Sequence, residues 1–170
     1  MKLNEHIFRA NDIRGVAYED LNQEVVINLG KALGSEAQDR GLSEFIIGRD
    51  GRLSSPDIFE WLSSGVISSG CNVIDIGIVT SPMFYHSTFS LSSSSGVVIT
   101  GSHNPGEYNG FKIVFQNNST SREEITFLKN RVRNRDFRSG HGVLKSAHIE
   151  ESKIDRKEYR TTMKKNEYYN

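Results

Sequence analysis

The chain has 170 residues, with 21 Lys plus Arg against 21 Asp plus Glu and an apolar share of 36%. That is enough for one domain able to bury about 70% of its unfolded surface, and it lies well above a disordered composition. A formal net charge of zero leaves no long-range field to draw the chain to nucleic acid or to a membrane, so any anion site must come from locally arranged cations. The single cysteine, Cys71, sits in an apolar run, CNVIDIGIV, where a buried, inert thiol is expected. The start, MKLNEHIFRAND, has no signal-peptide core, and no apolar stretch reaches membrane-spanning length. The expected setting is reducing and cytoplasmic, with no nucleic-acid or membrane partner.

The first element in chain order is a helix through QEVVINLGKALGSEAQDR. Asn22 is its cap, Val25, Val26, Leu29, Ala32, Leu33 and Ala37 form one apolar face, and Gly41 is its stop. EFIIG (44–48) reads as a short buried strand. SSPDIFEWLSSGVISSG (54–70) reads as a helix with Ser caps, Pro56 in its first turn, Ile58, Phe59, Leu62 and Val66 on one face, and Gly70 as terminator. CNVIDIG is a second strand, PMFYHSTFSL a short helix introduced by Pro82, and the Ser run at 92–95 a loop. VVIT (97–100) and FKIVF (111–115) are the next strands. SREEITFLKNRVRNRD opens with a capping box from Ser121 to Glu124 and carries Ile125, Leu128 and Val132 on one face. VLKSAHI (143–149) is a further strand. The charged, tyrosine-rich stretch 151–170 has only a thin apolar stripe, as for a helix without its partner. Strands alternating with helices predict an α/β protein, a three-layer α/β/α sandwich on a mixed, mostly parallel sheet.

Ligands of such sheets gather at strand ends. The polar clusters RANDIRG, GRDGR and TGSHNP fall where that rule would put them. In VVITGSHNPGEYNGFKIVF, Pro105 forces Asn104 toward extended geometry, and Gly106, Asn109 and Gly110 are expected to turn the chain back into the next strand. Ser102 is thereby displayed on a short connection between two buried strands, although an ordinary hairpin whose Ser and Asn satisfy backbone groups would read the same way. A hydrolase nucleophile elbow needs Gly two residues before and two after the serine, where this chain has Thr100 and Asn104. A complete phosphate-loop or dinucleotide glycine pattern is absent, and His103 has no metal-ligand partner at a regular helical offset. Phosphoryl chemistry remains. A serine phosphate carries about −1.5 to −2 charges and needs fixed cations and donors around it. Arg9, Arg14, Arg49, Arg52 and Lys112 are the candidates, each weighed against a plain solvated charge or an ion pair to Asp12 or Asp50.

FRANDIRG (8–15), GRDGRLSSP (48–56) and TGSHNPGEYNGFKI (100–113), with the spacing between them, resemble the first domain of the α-D-phosphohexomutases. The likeness is strongest to the bacterial phosphomannomutase/phosphoglucomutase branch, over about residues 7–150. The resemblance implies a phosphohexomutase domain I at 1–150, with 151–170 leading toward a second domain. It implies that Ser102 is a phosphoserine that gives its phosphoryl group to a hexose monophosphate and takes one back from the other end of the bisphosphate, interconverting mannose or glucose 1- and 6-phosphates. His103, Arg14 and Lys112 are the implied catalytic companions, Lys112 as acid/base. Asn104, Arg9, Arg49 and Asn109 are the implied substrate- or phosphate-binding residues, and Asp50 shapes the loop behind the serine. Asn11 stands where close relatives often place a tyrosine.

The family also implies Mg²⁺, here liganded only through a phosphate on Ser102, and a hexose 1,6-bisphosphate as activator and intermediate. The Asp-Gly-Asp-x-Asp-Arg metal loop, the sugar-reading loop and the phosphate-gripping loop of the family's other three domains do not occur in these residues. The expectation is therefore an N-terminal domain that looks truncated and does not turn over alone. A non-catalytic interaction domain that keeps the fold is the alternative.

Overall fold

A computed structural model describes residues 4–147; the expected helix at 151–170 lies outside them. Strand β1 (Ile13–Val16) leads into helix α1 (Gln23–Asp39), whose Asn22 side chain accepts from the Val25 N–H. Strand β2 (Glu44–Arg49), helix α2 (Ser55–Ser68), strand β3 (Asn72–Ile78) and helix α3 (Ser81–Ser90) follow, α3 being capped by Thr80. Strands β4 (Gly96–Ile99) and β5 (Tyr108–Phe115) form a hairpin, the short β6 (Asn118–Ser119) pairs back on β5, and helix α4 (Arg122–Asn134) carries the full Ser121/Glu124 capping box. Strand β7 (Leu144–Ser146) closes the described chain.

The sheet runs β1-β5-β4-β2-β3-β7. Strands β4, β2, β3 and β7 are parallel, and β5 lies antiparallel between β1 and β4. One face is covered by α1, α2 and α4. There Leu29, Leu33, Ile58, Leu62, Leu128 and Val132 pack on Ile13, Phe45, Ile47, Val97, Ile99 and Phe111. The other face carries a smaller core under α3, in which Phe84 and Tyr85 pack on Ile46, Ile74, Val98 and Val114. The expected three-layer architecture is present. Helices α1 and α2 touch backbone to backbone where Gly30 meets Gly65: a Cβ on Gly30 would lie 2.2 Å from the Leu62 carbonyl oxygen, and one on Gly65 2.2 Å from that of Ile27. That notch sets the C-terminal half of α2 against α1.

Three local expectations change. Ser54 makes no side-chain cap on α2; its hydroxyl accepts from Asn109, and the Ser55 hydroxyl donates to Asp50. Asn109 and Gly110 are strand residues, because β1 pairs with them, Gly15 opposite Asn109 and Arg14 opposite Gly110. Strand β1 itself was not predicted, since IRGV has neither an apolar run nor a clean alternation. The Cys71 thiol is buried, and burial pushes it up to about 12. Among the described residues no helix is long and apolar enough to cross a membrane.

Candidate active site

The carboxyl ends of β2 and β4 lie side by side with the amino end of β5 and the middle of β1. The Asp50 N–H donates to the Ile99 carbonyl at 2.9 Å, and the Thr100 N–H to the Gly110 carbonyl at 2.9 Å, while Gly110 stands opposite Arg14. A row of residues from four segments, Asp50, Thr100, Gly110 and Arg14, thus crosses the rim of the sheet. Lys112 lies two residues further along β5 from Gly110. It pairs with Val98, whose side chain is in the α3 core. Arg14 alternates with Ile13, which faces the α1/α2 core, so Arg14 and Lys112 share the α3 face as diagonal neighbours. Arg14 is ion-paired to Asp12. Half-buried Lys112 has no hydrogen bond or ion pair among the described residues.

The loop between β4 and β5 rises from this rim. Ser102 has φ +54°, in the left-handed region that costs a non-glycine residue free energy unless its surroundings impose it. The surroundings do impose it. The Ser102 N–H donates to Thr100 Oγ1 at 3.0 Å, and the Asn104 N–H and Nδ2 both donate to the Gly101 carbonyl, at 3.0 and 2.9 Å. From the β2–α2 loop, the Arg52 guanidinium reaches across underneath. Its Nη1 donates to the carbonyls of Pro105 (2.6 Å) and Tyr108 (3.0 Å), its Nη2 to those of Ser102 (3.0 Å) and Asn104 (2.8 Å), and its Nε to Asp50 Oδ2 (3.2 Å). It lies so close that a Cβ on Gly101 would fall 2.4 Å from Arg52 Cζ. Both peptide groups of Ser102 are occupied, and its exposed hydroxyl has no partner among the described residues.

Asp50 is the second anchor. Burial pushes its carboxyl up, but hydrogen bonds from the Ser55 hydroxyl, the Arg52 N–H, the Thr100 hydroxyl and the Gly101 N–H outweigh this and hold it below the usual carboxylate range. It is therefore a fixed anion at neutral pH. Beside the loop a hollow of about 400 Å³ opens between Asp50, Thr100 and the β3–α3 connection, with Ile78, Thr80, Ser81 and Met83 in its wall.

The expected site residues divide accordingly. Ser102, His103 and Asn104 share the loop, His103 exposed, and Arg14 and Lys112 stand on the neighbouring strands. Arg9 is exposed at the turn before β1, where its N–H donates to the Asp12 carbonyl at 2.9 Å; the Asp20 carboxyl is held low by hydrogen bonds from the Val16 N–H and the Asn4 amide and then by the Arg9 charge. Asn109 stands apart from these residues. It is completely buried, with Nδ2 donating to the Ser54 and Ser55 hydroxyls and Oδ1 accepting from Gly110, so it ties β5 to the start of α2. Arg49 is also held elsewhere: it pairs with Asp75 at 2.8 Å and stacks over the Phe59 ring at 4.3 Å, on the α2 face away from Arg14 and Lys112. Arg52, one of the candidate phosphate cations, is instead the loop's clamp; its position two residues beyond Asp50 in GRDGR was the available signal.

The residues present do not fit a magnesium cage. Among the described residues no three of His, Cys, Asp and Glu are placed to hold a metal, and the Asp50 oxygens are taken by Ser55, Arg52 and Gly101.

A family model described as "Phosphoglucomutase/phosphomannomutase, alpha/beta/alpha domain I" matches residues 5–139. A phosphomannomutase/phosphoglucomutase of Pseudomonas aeruginosa is 43% identical over 143 residues, 84% of this chain and 31% of that protein. One of Pseudomonas putida is 41% identical over 147 residues, 86% and 32% of the two chains. A crystal structure of a phosphoglucomutase/phosphomannomutase family protein from Burkholderia thailandensis superposes with TM-score 0.83 at 35% identity, covering 86% of this chain and 34% of that one. The chain spans about a third of the length of the curated relatives it matches.

Proposed function

This chain belongs to the phosphoglucomutase/phosphomannomutase family, as its α/β/α domain I, and from that premise we propose that Ser102 is the residue that carries the phosphoryl group. The substrate class is a hexose monophosphate. The reaction exchanges the 1- and 6-phosphates by way of a bisphosphorylated sugar. The observation that carries this reading is the mounting of Ser102: backbone fixed at a left-handed φ, hydroxyl exposed and uncommitted.

In the forward half, the bond between phosphorus and Ser102 Oγ breaks while a sugar hydroxyl oxygen forms the new bond to phosphorus. The sugar hydroxyl loses a proton and Ser102 Oγ gains one. Lys112 is the group that moves it, since no protein carboxylate holds its ammonium among the described residues. Arg14, on the same sheet face, supplies positive charge against the phosphoryl oxygens. Asn104 has an Nδ2 spent inside the loop, which leaves Oδ1 to accept from a sugar hydroxyl. His103 and Arg9, both exposed, contact the sugar phosphate. The bisphosphate then presents its other phosphate, and the same atoms run the transfer in reverse.

The test is direct. The chain is incubated with glucose 1,6-bisphosphate and Mg²⁺, with the family's other three domains added in trans, and its intact mass is recorded. Wild type is expected to gain one phosphate and Ser102→Ala none; equal masses for the two proteins would refute the assignment.

A further inference from the structure

We propose that Arg52 is the positioning residue of this site, acting through the shape of its guanidinium and not through its charge; this rests on Ser102 being the phosphoryl carrier. A guanidinium has five N–H donors in a planar fork and no acceptor. In Arg52 all three nitrogens are committed: Nε to Asp50, Nη1 to the carbonyls of Pro105 and Tyr108, and Nη2 to those of Ser102 and Asn104. Those five bonds use all five donors. None is left for a phosphate oxygen, so the role of phosphate cation, natural for an arginine in a strand-end loop, does not belong to this one.

The carbonyls it gathers come from three residues of the β4–β5 loop, Ser102, Asn104 and Pro105, and from Tyr108 at the start of β5. Of the four, the Pro105 carbonyl also accepts from the Tyr108 N–H at 3.1 Å, while those of Ser102 and Asn104 face the guanidinium. The left-handed Ser102 is the residue whose conformation depends most on the closure, because its C=O is tied by Arg52 and its N–H by Thr100. Asp50 completes the ring: it accepts from Arg52 Nε, from the Arg52 N–H and from Gly101. The hydroxyl that must meet phosphorus in line is thus placed entirely through main-chain bonds, and a misplacement of about 1 Å costs on the order of 10²-fold in rate.

Lysine separates shape from charge. Arg52→Lys keeps the cation and loses the fork, and Arg52→Met loses both. For wild type and each variant, the rate of Ser102 phosphorylation is measured against glucose 1,6-bisphosphate concentration. Hydrogen exchange is followed at the Gly101, Asn104 and Tyr108 amides and at the β2 amides. Both variants are expected to lower the saturating rate by about 100-fold, with the half-saturating concentration unchanged, faster exchange in the loop, and unchanged protection in β2. A lysine variant as fast as wild type overturns the proposal and leaves Ser102 in place. So does a loss confined to the half-saturating concentration, which would make Arg52 a phosphate ligand. Loss of β2 protection together with the loop would make it a residue of the general fold and overturns the proposal as well. If wild type takes no phosphate, the Ser102 reading itself falls and this one with it.

Discussion

Two arginines in this molecule do opposite work. Arg131 on α4 is buried against α1, where it bonds Glu36 at 3.1 Å and pairs with Asp39, while Arg40 holds Glu36 and Glu124 at 2.9 and 2.8 Å and Arg138 holds Asp39 at 2.7 Å. Its partners are carboxylates, and what it supplies is mainly charge. Arg52 meets one carboxylate and four carbonyls, and what it supplies is mainly a pattern of donors. The helix seam joins two elements that already share an apolar core. The serine loop has no such core beneath it, so polar bonds alone define its shape. Charge pairs hold a scaffold together, whereas directed hydrogen bonds aim a reactive atom.

Aim and scaffold are separate properties only if no single substitution disturbs both. The largest effect expected is on chemistry alone: Lys112→Met lowers the rate of Ser102 phosphorylation by about 10³-fold and leaves the urea midpoint of unfolding unchanged. Next is stability alone. Arg131→Met removes a guanidinium from between Glu36 and Asp39, but Arg40 and Arg138 still partner those carboxylates. The cost is therefore below that of a fully orphaned buried charge, about 2 kcal/mol in urea titration, with the phosphorylation rate within twofold of wild type.

Acid sharpens the contrast. The Asp39 carboxyl is held low, first by the hydrogen bond from Arg131 and then by that from Arg138, against the upward push of burial, and Asp50 is held low by the bonds described above. A carboxyl whose folded pKa lies below its unfolded value of about 3.9 contributes stability that is present above that pH. That contribution is lost as pH falls through the folded pKa. Stability should fall with acidification below about pH 4, and Arg131→Met should flatten the fall, as read by urea titrations across that range. The smallest effect is a null one. Cys71 carries the intrinsically better nucleophile, yet it is buried and its thiol is pushed up to about 12. Iodoacetamide at neutral pH should leave the native chain unmodified and label it in urea.

Much of this was legible in the sequence where a residue's neighbours in the chain decide its fate. The α1 cap at Asn22, the α4 capping box and the apolar faces of the helices are local, and they stand as predicted. TGSHNP announced a displayed serine because Pro105 and the two flanking apolar runs constrain it locally. What stayed hidden depends on partners far along the chain. Asn109 looks like a turn residue until Ser54 and Ser55 close on its amide. Arg49 looks available until Asp75, on the neighbouring strand, takes it. Arg52 shows its charge in the sequence but not which donors are spent, and that count separates a clamp from a phosphate ligand. Strand β1 exists because β5 offers it a ladder, which four residues reading IRGV could not disclose.

If Ser102 is the phosphoryl carrier, the loop presents one hydroxyl, and no other group, to phosphorus. Fragmentation mass spectrometry of the chain after exposure to glucose 1,6-bisphosphate tests it most directly, because Thr100, Ser102 and His103 fall in one short peptide. Phosphate is expected on Ser102 alone. Phosphate on His103 or Thr100, or none within residues 100–108, would contradict it.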